Sequence, residues 1–221
     1  MTRILDNRKR PSESGEVNSM VVFLHGYGAD GADLLGLADP LAPHLPDTVF
    51  YAPNAPETCM TNPSGFQWFP IPWIDGSSEE AAEQSMTQSV EDLNDYLDNA
   101  MEEEGLRPEE VVIFGFSQGT MMALHIAPRR DDPFAGLVGF SGRLLQPESL
   151  ADEMVSKLPI LLVHGDQDDL VPIQSMGEAG DHLVAQEFEV YAHVMEGTGH
   201  GIAPDGLNVA LAFIRDKLQL D

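Results

Sequence analysis

Between Arg10 and Arg107 the chain contains no lysine or arginine, and lysine is scarce throughout. Binding to a polyanion draws on Lys and Arg side chains that displace counterions, so nucleic acid is excluded as a natural partner. The basic residues that do cluster, Arg3, Arg8, Lys9 and Arg10, sit in an amino-terminal stretch expected to be a flexible, solvated end. Cysteine is nearly absent as well. Cys59 stands alone, so no internal disulfide can form, and an oxidising compartment gains no support. No run approaches the roughly 18 consecutive apolar residues of a membrane-spanning helix. The first residues, MTRILDNRKRPSESGEVNS, carry charges where a secretory signal needs an apolar core. The expectation is a cytoplasmic protein without stable membrane association.

Carboxylates are abundant: 37 Asp+Glu stand against 11 Lys+Arg, a formal charge of −26 over 221 residues. This balance fits either an ordinary acidic protein or one adapted to salt. In the second case screening relieves self-repulsion, and the Tm is expected to rise from low to molar salt; an unchanged Tm counts against it. With 43% hydrophobic residues the chain can bury a sizeable core. One domain over residues 19–221, preceded by a flexible segment over 1–18, is the expected organisation.

Short apolar runs bounded by turn residues recur at Met20–Leu24, Val49–Ala52, Val111–Phe116, Leu137–Phe140, Ile160–Val163 and Val190–Met195. They suit strands of a buried sheet. Helical spacing lies between them. Ser77 or Ser78 can cap a helix running through Met86, Leu93 and Met101 to a stop at Gly105, and further helices are predicted over Gln118–Ala127, Ile173–Gln186 and Leu207–Leu218. Alternating strands and helices imply an α/β fold with a mainly parallel sheet covered on both faces.

In such sheets functional groups gather beyond the carboxyl ends of the strands, where this chain places LHGYGAD, GFSQGT, HGDQDDLVP and GTGHGI. Gly115 and Gly119 flank Ser117 at two residues on either side, the clearance that a tight strand-to-helix turn requires. A serine hydroxyl is a weak nucleophile at neutral pH and needs a base, which in turn needs a group to orient it. His200, in a glycine-rich loop after the last predicted strand, is the candidate base. His44, His125, His182 and His193 lie in helical or strand patterns or away from these loops. Asp166, Asp168 and Asp169 compete as the acid. Asp168 is favoured because the apolar turn Leu170-Val171-Pro172 can bury its carboxylate, while Asp166 suits a turn and Asp169 suits solvent. Backbone N–H groups of Gln118, opening a helix, and of Tyr27, between two glycines, are the candidate oxyanion donors. His25 and His164, each before a glycine, are expected to hydrogen-bond at strand ends; no metal-ligand spacing is present.

These motifs resemble the phospholipase/carboxylesterase family of α/β-hydrolases over nearly the whole chain, from about Val21 to Phe213. The resemblance implies a serine carboxylesterase with an acyl-enzyme intermediate, or a thioesterase or lysophospholipase on the same residues. It also implies catalytic Ser117, Asp168 and His200, oxyanion donors Tyr27 and Gln118, a small acyl ester as substrate, no cofactor and no metal. A homodimer rests on the resemblance alone. The different-class alternative is a non-catalytic hydrolase-fold binding protein. Tyr27 stands where the family often has leucine, and Thr120 where it often has glycine. Cys59 lies outside the elbow, so cysteine-nucleophile dienelactone hydrolases fit less well. The stretch GFQWFPIPWI admits three readings: a loop packed into the core, a subunit contact, or an acyl-binding wall. The resemblance favours the wall, which would make Trp68, Phe69 and Trp73 substrate-binding residues.

Overall fold

The computed structural model describes residues 2–220; Met1 and Asp221, the outermost residues of the expected segment and domain, lie outside them. In chain order the strands are β1 (Asn7–Arg10), β2 (Ser19–Leu24), β3 (Thr48–Pro53), β4 (Glu57–Thr58), β5 (Phe66–Gln67), β6 (Val111–Phe116), β7 (Gly136–Phe140), β8 (Ile160–Gly165) and β9 (Val190–Met195). The helices are α1 (Gly31–Leu35), α2 (Ala38–Leu41), α3 (Pro72–Asp75), α4 (Glu79–Glu104), α5 (Gln118–Ile126), α6 (Leu150–Glu153), α7 (Gln174–Ala185) and α8 (Pro204–Lys217). Seven strands form one sheet in the order β1-β3-β2-β6-β7-β8-β9, parallel except for β1; β4 and β5 form a separate ribbon. This is the α/β-hydrolase architecture.

Alternation along the central strands explains the two covered faces. In β2, Met20, Val22 and Leu24 join one apolar core while Val21 and Phe23 join the other; Val111 and Ile113 of β6 separate from Val112 and Phe114 in the same way. Leu93 of α4, Met122 of α5 and Leu183 of α7 close the first core. Leu34 of α1, Leu41 of α2 and Phe213 of α8 close the second. A strand buried on both sides has no polar face to show, which is why these segments read as continuous apolar runs. The α4 cap is Ser78, whose hydroxyl accepts the Ala81 N–H at 3.1 Å, and Gly105 ends the helix at φ +69°. α8 begins at Pro204, three residues before the predicted Leu207, because proline suits the first turn.

Two expectations need correction. Asn7–Arg10, placed in a flexible end by the sequence, instead pairs antiparallel with β3. The segment is tethered beyond the strand itself: Leu5 joins the apolar core, the backbone N–H and Nε of Arg3 each donate to the buried Asp92 of α4 at 2.6 Å, and Lys9 bridges to Glu103 at 3.0 Å. The run Val190–Met195 is a strand but an edge one, with Tyr191 and Val194 exposed. Lys217 lies 4.9 Å over the Tyr191 ring and shields part of that edge. Among the described residues no helix is long and apolar enough to cross a membrane.

Candidate active site

Ser117 leaves β6 and opens α5 with φ +54° and ψ −116°, a conformation that costs a residue with a side chain free energy. Close packing of the backbone holds it there. A Cβ at Gly119 would stand 1.8 Å from the Leu24 carbonyl oxygen, and one at Gly115 would stand 2.5 Å from the Thr120 nitrogen. Both glycines are therefore dictated by contact. The Ser117 N–H is fixed to the Phe140 carbonyl at 2.8 Å, which anchors the turn to β7.

Three loops bring the expected polar groups together. Ser117 Oγ lies 2.9 Å from His200 Nε2, and His200 Nδ1 lies 2.8 Å from Asp168 Oδ2. The Phe116 ring packs 4.9 Å from the imidazole. The Asp168 side chain is fully buried, and its Oδ1 accepts the N–H groups of Leu170 and Val171, each at 2.9 Å. Burial alone would raise this carboxyl, but the Val171 N–H, the His200 imidazole and the Leu170 N–H outweigh it and hold the group below the ordinary carboxylate range. An ionised Asp168 accepts the His200 Nδ1–H, which leaves the Nε2 lone pair facing the Ser117 hydroxyl.

The competing acids are elsewhere. Asp166 accepts the Gly197 N–H at 2.7 Å, so it ties the acid loop to the histidine loop in addition to any local turn role; Asp169 is exposed. A second bond joins the same loops, Gln167 N–H to the Thr198 carbonyl at 2.9 Å. His164 is more than a strand-end histidine. Its Nε2–H donates to the Val171 carbonyl at 2.8 Å and lies 3.3 Å from Asp168 Oδ2, beside the oxygen that His200 uses. His25 accepts the Ala55 N–H at Nε2 (2.9 Å) and approaches the Gly26 carbonyl through Nδ1 (2.8 Å), so it is a neutral brace whose burial lowers its pKa.

The LHGYGAD loop lies against the nucleophile: a Cβ at Gly26 would stand 3.2 Å from the Ser117 Cβ. Among the described residues, the backbone N–H groups of Tyr27 and Gln118 have no protein acceptor. That of Gln118 is one of the free donors at the start of a helix. The Gln118 side chain, buried, accepts the Trp68 N–H at 2.9 Å and donates to the Phe69 carbonyl at 2.7 Å. The elbow thus clamps the aromatic stretch.

That stretch divides. Trp68 is fully buried, with its indole N–H donated to the His25 carbonyl at 3.0 Å, so its expected substrate contact is corrected to a core role. Its backbone is gripped by Gln118 and its ring by His25, which draws it inward. Trp68→Ala is expected to cost ~3–5 kcal/mol of stability, read as a lowered urea midpoint. Phe69 and Trp73 line a groove of about 280 Å³ together with Ile71, Met86, Arg143 and Leu145. Trp73 is 67% exposed, as a wall facing an open groove would be. Sequence reasoning missed Arg143, although it stands just past the carboxyl end of β7, where functional groups gather.

The sequence matches a family profile described as phospholipase/carboxylesterase over residues 10–218. It is 28% identical to acyl-protein thioesterase 1 homolog 1 of Dictyostelium discoideum over 221 residues, 97% of each chain. It is 30% identical to acyl-protein thioesterase 1 of Saccharomyces cerevisiae, with 90% of this chain and 92% of that one covered. Among solved structures, the crystal structure of esterase PE8 superposes with a TM-score of 0.92 at 39% identity, covering 98% of this chain and 100% of the other.

Proposed function

Because the chain belongs to the phospholipase/carboxylesterase family of serine hydrolases, we propose that it hydrolyses small carboxylic esters through Ser117, His200 and Asp168. The observation that carries this reading is the unbroken relay from Ser117 Oγ through His200 to Asp168, with contacts of 2.9 and 2.8 Å. His200 Nε2 takes the hydroxyl proton as Oγ bonds to the acyl carbon. The carbonyl electron pair moves to oxygen, where the N–H groups of Tyr27 and Gln118 stabilise it. Collapse expels the alcohol, which receives its proton from His200. Water then attacks the acyl-enzyme, surrendering its proton to His200, which returns it to Ser117 Oγ as the acyl–oxygen bond breaks and the acid leaves. Throughout, Asp168 stays ionised and supports the imidazolium.

Relatives named acyl-protein thioesterase favour a second reading, thioester cleavage by the same steps with a thiol leaving group. The test is a panel of p-nitrophenyl esters, acyl thioesters and lysophospholipids of graded chain length, with fluorophosphonate labelling of the same preparation. Labelling at Ser117 with highest kcat/KM on oxygen esters is the expected result. Labelling with preference for thioesters would transfer the assignment to the second reading, and absence of labelling would overturn both.

A further inference from the structure

In a chain with 37 Asp+Glu and 11 Lys+Arg, cations should be consumed by ion pairs. Most are: Arg3 bridges to Asp92, Arg130 to Asp98 and Lys217 to Glu189. Arg143 departs from this. Among the described residues its guanidinium forms no ion pair with a carboxylate, and it lies instead over the face of Trp73, 4.9 Å from the ring centroid. Stacking of this kind orders a guanidinium while leaving its fork of N–H donors available.

Its position gives that availability a use. Arg143, Leu145 and Gln146 line both the groove of about 280 Å³ and a neighbouring cavity of about 330 Å³. The segment that presents Arg143 is held at two unfavourable backbone positions, Ser141 and Gln146, each at φ +48°. Strain of this kind persists only where the surroundings over-determine it. Gly142 packs against the elbow, since a Cβ there would stand 3.1 Å from the Ser117 carbonyl oxygen. Ser141, fully buried, has no hydrogen-bond partner for its Oγ among the described residues. The chain therefore spends unfavourable conformations to set one cation, paired with no carboxylate among the described residues, on the rim of this groove and one residue beyond the glycine that packs on the elbow.

We propose that Arg143 binds a carboxylate or phosphate that the acyl substrate carries away from its scissile bond. This rests on the ester-hydrolase reading above. A planar guanidinium matches either oxyanion through two parallel hydrogen bonds. Exposed Glu79 and Glu83 line the same groove and select a compact anion docked on Arg143 over an extended polyanion.

Two substrate pairs test this and separate the sources of the anion. p-Nitrophenyl hemiglutarate and p-nitrophenyl butyrate differ by a carboxylate on the acyl side. A lysophosphatidic acid and the matching monoacylglycerol differ by a phosphate on the leaving-group side. The ratio of kcat/KM, anionic over neutral, is measured within each pair for the natural protein, Arg143→Ala and Arg143→Lys. In at least one pair Arg143→Ala is expected to lower the ratio by about tenfold or more, chiefly through KM, with partial recovery in Arg143→Lys and a decline with added salt. The responding pair identifies the anion. Unchanged ratios in both pairs, or equal losses on charged and neutral members, would overturn the assignment while leaving the hydrolase reading intact. Failure of the natural protein to cleave any of the four esters would instead overturn the hydrolase reading and this assignment with it.

Discussion

Ser117→Ala is expected to reduce turnover of a short-chain aryl ester by on the order of 10⁶-fold if the three residues act as a unit. The size of the loss follows from the division of labour at the site. In the proposed relay His200 and Asp168 serve only to move the Ser117 proton and to carry the charge that results, so without Oγ they have nothing to activate. What survives is whatever the Tyr27 and Gln118 N–H groups and the groove contribute, roughly 10³–10⁴-fold over water in comparable sites. Neither Ser141 nor Cys59 can take over. Ser141 is sealed in the interior, and Cys59 is buried with its sulfur 3.5 Å from the Thr61 hydroxyl. Alanine must still adopt φ +54°, so the change relieves little strain and the Tm is expected to stay close to that of the natural protein. Turnover retained within tenfold, by protein freed of contaminating esterase and no longer labelled by a fluorophosphonate, would sink the role given to Ser117.

The parts of this site that were legible in the sequence are those fixed by backbone geometry. Gly115 could be read because a Cβ there would strike main chain only five residues on, whereas Gly119 clears the distant Leu24 carbonyl and was legible through its two-residue spacing from Ser117, a pattern local sequence displays. Strand and helix alternation placed the four loops at one sheet edge for the same reason, and Asp168 stood out from Asp166 and Asp169 through the apolar turn that follows it. What stayed hidden depends on partners far along the chain. Trp68 and Trp73 lie five residues apart with similar surroundings in sequence, yet Gln118 and His25 draw the first inward while Arg143 holds the second at the surface. The tail strand β1 pairs with β3 and is tethered by partners far along the chain, as in the Arg3–Asp92 bond across a separation of 89. Asp166 looked like a turn residue because its acceptor role is directed at Gly197, in another loop. Such contacts become visible only when the fold supplies both ends.

Asp168→Asn is expected to lower kcat by on the order of 10⁴-fold with little change in KM, and the local hydrogen bonds say why. One side-chain oxygen is pinned by the Leu170 and Val171 N–H groups, so the asparagine oxygen must take that position and its NH2 must face His200. There it meets two imidazoles. His164 already presents Nε2–H on that side, its proton committed to the Val171 carbonyl, and His200 Nδ1 can be accommodated only as an acceptor. His200 would then carry its proton on Nε2, directed at Ser117 Oγ, where a lone pair is required. The acid dependence of stability supplies a readout separate from activity. A carboxyl held below its ordinary range contributes stability that is fully present above the unfolded-state value, and that contribution disappears as pH falls through the folded-state value. The difference in unfolding free energy between the natural protein and Asp168→Asn should accordingly be largest near neutral pH and shrink on acidification. A variant that kept its turnover, or a stability gap that widened as pH fell, would remove Asp168 from the relay and return Asp166 and Asp169 to consideration.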